Sequence, residues 1–128
     1  TDRTFRLPAI RMADLHRAHT PAVWSYLFDY RSPALDGKLG SVHSLDIPFA
    51  FGTLTAEGMG EFCGQGPAVE ELSGQIMDMW ISFARNGSPT HSGLPDWPFY
   101  GDVRETLRLG LEPHIEPDPL SAQRMVWL

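Results

Sequence analysis

Residues 22 to 30, Ala-Val-Trp-Ser-Tyr-Leu-Phe-Asp-Tyr, constrain the fold of this chain more than any other stretch. Read as a strand, they put Trp24, Tyr26, Phe28 and Tyr30 on one face and Val23, Ser25 and Leu27 on the other. Both faces are largely apolar, so the strand needs cover on both sides. That is the habit of an interior strand in a mostly parallel sheet with helices above and below. An aromatic-rich strand of a small antiparallel sheet is the competing reading.

The helices that would supply the cover are legible. Residues 4 to 19 carry a broken apolar stripe through Leu7, Ile10, Ala13 and Leu15, with Pro8 in the first turn and Thr20-Pro21 as the stop. Residues 67 to 86 form the strongest helix. Val69, Leu72, Ile76, Met79, Trp80 and Phe83 recur at three- and four-residue steps, and each large side chain buried there contributes about 1.5–3 kcal/mol. Pro67 suits the first helical position, Glu70 and Glu71 suit the positive end of the dipole, and Asn86-Gly87 ends it. Met77, Met79 and Trp80 read as packing. Residues 53 to 66 are loop and short helix, and 90 to 102 are irregular, with Trp97-Pro98-Phe99-Tyr100 packing back on the core. Residues 106 to 109 and 113 to 116 pair as a hairpin across Gly110-Leu111-Glu112, and 119 to 127 close as a helix.

Bulk properties narrow the function. The 128 residues are one domain or part of one. With 42% hydrophobic and 20% charged residues, the chain is globular and not disordered. The net charge of −6 disfavours nucleic acid and anionic membranes as partners, since both need a basic face. No apolar run approaches the roughly 18 residues needed to span a bilayer. Cys63 is single, so there is neither an internal disulfide nor a Cys-x-x-Cys metal pair. One cysteine, and no basic-then-apolar leader at Thr1 to Thr4, lean towards a reducing, cytoplasmic compartment. The missing initiator Met points to a processed chain or an excised piece.

The chemistry concentrates at Gly40-Ser41-Val42-His43-Ser44-Leu45-Asp46-Ile47-Pro48-Phe49-Ala50-Phe51-Gly52. A small-residue loop carries His43 beyond the aromatic strand, where active groups of open α/β sheets gather. Imidazole accepts and returns a proton near neutral pH, which suits a general base. A polar member of a half-buried surface is the plain alternative. Asp46, three residues on, is badly placed to orient the imidazole and reads as a local hydrogen-bonding or capping acid. His16 and His19 share a helix face at a spacing that can hold zinc, but no third ligand is evident, and a solvated helix end is expected. Gly58-x-Gly60-x-x-x-Gly64 imitates a dinucleotide fingerprint with the wrong spacing and no strand leading in, so no cofactor is expected.

Two stretches together resemble the C-terminal end of the type-B carboxylesterases, the cholinesterase-like branch of the α/β hydrolases. The first is the His43 segment, with its small-residue loop, its acid three residues on, and its aromatic run ending in Phe-Gly. The second is Trp80-Ile81-Ser82-Phe83-Ala84-Arg85-Asn86-Gly87-Ser88-Pro89, followed by Trp97-Pro98-Phe99-Tyr100. Val23 to Phe28 is similar to the strand before the family's histidine loop. The resemblance covers nearly the whole chain. It implies the C-terminal part of an α/β-hydrolase fold over residues 1–128, and His43 as the triad histidine of a serine ester hydrolase acting on small-molecule esters.

The chain departs from the family pattern in having no Gly-x-Ser-x-Gly, no Gly-rich oxyanion segment and no match to the family's acid motif. Only Asp2, Asp14, Asp29 and Asp36 precede His43 among the aspartates. The expected nucleophile, acid and oxyanion hole therefore lie upstream, and the piece alone is expected to be inactive. The alternatives are a non-catalytic cholinesterase-like binding module, or an independent domain whose exposed Trp24, Tyr26 and Phe28 would drive self-association.

Overall fold

The computed structural model describes residues 2–127. A π-helical turn, Asp2–Arg6, runs directly into α1, Leu7–His16. The expected helix over 4 to 19 thus begins earlier and ends sooner. Its last residues tighten into turns, with His19 N–H donating to the His16 carbonyl at 2.9 Å, ahead of the extended backbone that Pro21 imposes.

Three strands form one mixed sheet in the order β1-β2-β3: β1 is Tyr26–Phe28, β2 is Glu105–Leu109 and β3 is His114–Pro117. β1 and β2 are parallel, with Leu27 opposite Arg108. β2 and β3 are the expected hairpin, with Leu107 opposite Ile115. Among the described residues both other strands lie on one side of β1, so its other side is open here, as suits an inner strand of a sheet of which this chain forms a part. β1 is shorter than residues 22 to 30. Pairing decides this: Ser25 C=O accepts from Leu107 N–H at 2.9 Å, and Asp29 N–H donates to Leu109 C=O at 3.1 Å. In a parallel ladder the alternate residues, Tyr26 and Phe28, then turn their backbone groups to the open side.

The two-sided cover is present. On the aromatic face, Tyr26 meets Trp80 edge-on at 6.3 Å, Trp24 meets Phe83 at 6.2 Å, and Phe28 and Tyr30 pack on Phe49 at 5.5 and 5.1 Å. Trp24, Tyr26 and Phe28 are accordingly half-buried against the core, not freely exposed. On the opposite face, Ala9 and Ile10 of α1 close over Ser25, Leu27 and Thr106 around a small cavity of about 60 Å³.

The helix over the aromatic face is α4, Pro67–Asn86, with the bounds its sequence pattern predicts. Gly87 takes a left-handed φ of 71° and donates its N–H to the Phe83 carbonyl at 2.8 Å, the αL termination that glycine favours. Val69, Leu72, Ser73, Ile76 and Met79 form its buried stripe. Trp80 and Phe83, expected inside with them, are half-exposed at the open edge of β1. Two short helices, α2 (Asp46–Ala50) and α3 (Met59–Cys63), fill the connection to α4. The core unites Tyr30, Leu45, Phe49, Cys63, Leu72, Ile76, Trp97, Leu107 and Leu109. The terminal helix contracts to α5, Ser121–Met125, because Leu120 is left-handed at φ 56°.

Ion pairs and hydrogen bonds tie α1 to the loop before β2, and α5 to the residue that follows β3. The Tyr100 hydroxyl donates to Asp14 at 3.0 Å and Arg104 donates to the same carboxylate at 3.2 Å. Arg17 pairs with Asp102, and Arg124 with Asp118 at 2.6 Å. Arg6 bonds Asp2 and reaches the Pro119 carbonyl at 3.1 Å.

Candidate active site

His43 lies on the loop that leaves the carboxyl end of β1, and each boundary of that loop has a physical cause. Ser32 N–H donates to Gly40 C=O at 3.0 Å, which pinches residues 33 to 39 into a closed excursion and returns the chain to the sheet. The Ser41 hydroxyl then donates to Phe28 C=O at 3.0 Å, one of the acceptors that β1 turns away from β2. Beyond His43, Leu45 is fully buried and Phe49 lies at the centre of the core, so α2 is drawn inward. Gly52 ends that segment at a φ of 63°, a conformation that penalises any side chain.

The result is a buried frame around an exposed imidazole. The His43 ring stacks on Phe5 of the π-helical turn, with centroids 5.0 Å apart and planes 19° from parallel. Ser44, immediately after it, has a φ of 68°. A non-glycine residue held left-handed costs on the order of 1–2 kcal/mol and survives where surrounding packing over-determines it. Here that packing is Leu45 on one side and the Ser41 tether on the other.

Asp46 stands in the first turn of α2, and no side-chain hydrogen bond caps that helix. Its expected capping role is thus corrected to a charge at the positive end of the helix. Its field falls on Tyr26, whose phenol is pushed up by burial first and by the Asp46 carboxylate second. Of the acids ahead of His43, Asp29 is held by Arg108 at 2.6 Å, Asp14 by Arg104 and Tyr100, and Asp2 by Arg6. Asp36 is an exposed turn residue at φ 57°. Each upstream aspartate is therefore spent on a structural contact or a turn.

The profile of the carboxylesterase family matches residues 1–127. The chain belongs to the carboxylesterase family. It is 39% identical over 114 residues to a phenmedipham hydrolase of Pseudarthrobacter oxydans, covering 87% of this chain and 23% of that protein. It is 36% identical to a para-nitrobenzyl esterase of Bacillus subtilis, covering 97% of this chain and 25% of that protein. A solved carboxylesterase of Geobacillus stearothermophilus superposes on the whole chain with a TM-score of 0.83 at 32% identity, using 27% of its own length. The chain thus spans about a quarter of the length of the relatives it matches, and its layered helices and mixed sheet are part of an α/β-hydrolase fold.

The other histidines of this carboxylesterase chain sit on other elements: His16 ends α1, His114 opens β3, and the His91 ring bonds the Gln75 carbonyl. His16 opens on an apolar cavity of about 250 Å³ walled by Trp24, Tyr26, Trp80, Phe83 and Trp97, and His43 does not line it. Among the described residues no three His, Cys, Asp or Glu side chains gather as a metal site, and no helix is long and apolar enough to cross a membrane. Gly58 precedes α3 and Gly60 lies within it, and the element ahead of them is α2, not a strand. Sequence reasoning missed Phe5, Ser41 and Ser73. Their roles depend on contacts 38, 13 and 24 positions away along the chain, and no local pattern encodes them.

Proposed function

We propose that residues 1–128 are the C-terminal segment of a single α/β-hydrolase domain in a serine-dependent carboxylesterase, and that His43 is its general base. The observation that carries this reading is the exposed His43 ring at the carboxyl end of β1, on a loop fixed by buried neighbours and a left-handed Ser44. The open side of β1 is where the remaining strands of the sheet would add, next to the half-exposed Trp80 and Phe83.

In that reaction a serine oxygen from the rest of the protein attacks the ester carbonyl while His43 takes its proton. His43 then returns the proton to the departing alcohol, and water repeats the cycle on the acyl-enzyme. A carboxylate outside this chain orients the imidazole, since every aspartate ahead of His43 is already engaged or turned outward. The substrate is a small carboxylic ester. This segment alone has no nucleophile, no triad acid and no oxyanion donors, so it contributes the proton relay and no turnover.

The test is hydrolysis of a chromogenic short-chain ester by the full-length enzyme. His43→Ala should lower kcat by about a thousandfold or more, whereas His16→Ala and His19→Ala should leave it within twofold. Equal losses at all three positions would remove the special role of His43. Residues 1–128 alone should match buffer.

A further inference from the structure

We propose that Ser73, on α4 and outside the loop that carries His43, is a positioning residue for the base. This inference rests on the reading of His43 as that base. Ser73 is the one hydroxyl in the buried stripe of α4, 3% exposed among Val69, Leu72, Ile76 and Met79. A serine inside a helix ordinarily points to solvent or bonds back to its own preceding turn. This one instead donates its hydroxyl to the Phe49 carbonyl of α2 at 2.8 Å.

That acceptor matters because of where it lies. α2 has five residues, too few for a helix to persist by itself, so its position is set by what it packs on. Phe49 sits in its last turn, where carbonyls lack helical partners. The Gly52 N–H approaches the Phe49 oxygen only at 3.4 Å, a long contact. The Ser73 hydroxyl is therefore the close donor that fixes the end of α2 against α4. Leu45 caps the other end of α2, two residues beyond His43. The Ser41 hydroxyl holds the loop entry on β1. The imidazole hangs between two hydroxyl anchors, one exposed at Ser41 and one buried at Ser73.

Buried anchoring suits a base that must meet a nucleophile at hydrogen-bond distance. A displacement of about 1 Å from a change remote from the chemistry can cost about a hundredfold in rate. Ser73→Ala in the full-length enzyme removes the donor and lets α2 settle elsewhere. The expected result is a fall in kcat of about tenfold to a hundredfold, with KM within twofold, measured well below the melting temperature and normalised to titrated active sites. Ser73→Thr, which keeps the hydroxyl, should restore most of kcat. Ser73→Cys, near in volume but a weaker donor, should lie between, and it serves as the folded variant if alanine is not tolerated. In a His43→Ala background, Ser73→Ala should change the residual rate by less than twofold, because an anchor without its base has nothing to position.

A lowered melting temperature with unchanged kcat in both the Ala and Cys variants would reduce Ser73 to a packing residue and overturn the proposal. Loss of kcat that threonine does not restore would overturn it as well. Retained activity in His43→Ala would instead remove the base itself, an outcome separate from any result at Ser73.

Discussion

Phe49→Ala tests the frame that holds His43, and its cost can be worked from the packing. Phe49 is 0% exposed and its ring lies 5.5 Å from Phe28 and 5.1 Å from Tyr30. Truncating a core phenylalanine costs about 3–5 kcal/mol, from lost transfer energy and the cavity left behind. The two aromatic contacts, each about 0.5–1.5 kcal/mol beyond area burial, place this truncation at the upper end of that range, about 4–5 kcal/mol. Folded domains are stable by only about 5–15 kcal/mol, so in the full-length enzyme this loss removes a large share of the total. With a urea slope of about 2 kcal/mol per molar, the unfolding midpoint should fall by about 2 M at an unchanged slope. Phe51 supplies the internal control. It follows Phe49 by two residues but is 76% exposed, so Phe51→Ala should stay within about 0.5 kcal/mol of wild type. Urea unfolding followed by circular dichroism reads both. A Phe49→Ala loss below about 1 kcal/mol, or equal losses at the two positions, would refute the claim that α2 is held by its inward aromatic.

Two further outcomes follow from other parts of the molecule. Burial, helped by the Asp14 carboxylate, pushes the Tyr100 phenol up to about 12. The folded state therefore keeps a proton that the unfolded chain releases near pH 10, so this contribution to stability is full below about pH 10 and is lost as pH rises towards 12. Burial raises Tyr26 and Tyr30 as well, so the readout in phenolate absorbance is the difference: Tyr100→Phe should remove a phenolate step near pH 12, and a Tyr100 ionising near 10 in the folded chain would contradict the burial argument. Residues 1–128 alone should self-associate, because the open edge of β1 is bordered by half-exposed Trp80, Ile81 and Phe83. Sedimentation that finds a clean monomer at high concentration would count against it.

How much of this was readable beforehand depends on the range of the interaction. α4 was legible to the residue because its signals are local: proline at the start, a 3.6-residue apolar stripe and a glycine at the stop. The β2–β3 hairpin was legible for the same reason, as two short apolar runs around a turn. His43 stood out through the motif around it. Trp80 and Phe83 misled because a stripe gives a direction on a helix but not the extent of the surface that meets it. Both point along the buried face yet lie on the side of β1 that no strand among the described residues covers.

The sequence by itself determined the helix, the hairpin, the two-sided aromatic strand and the family, since each is written in residues close together or in a fixed order. Only the tertiary structure decided that β1 pairs in parallel with β2, that Phe5 lies on the His43 ring, and that a serine on α4 bonds the Phe49 carbonyl of α2. Those outcomes come from pairings across 24 to 81 positions along the chain, where backbone hydrogen bonding and close packing select among partners that no local pattern can rank.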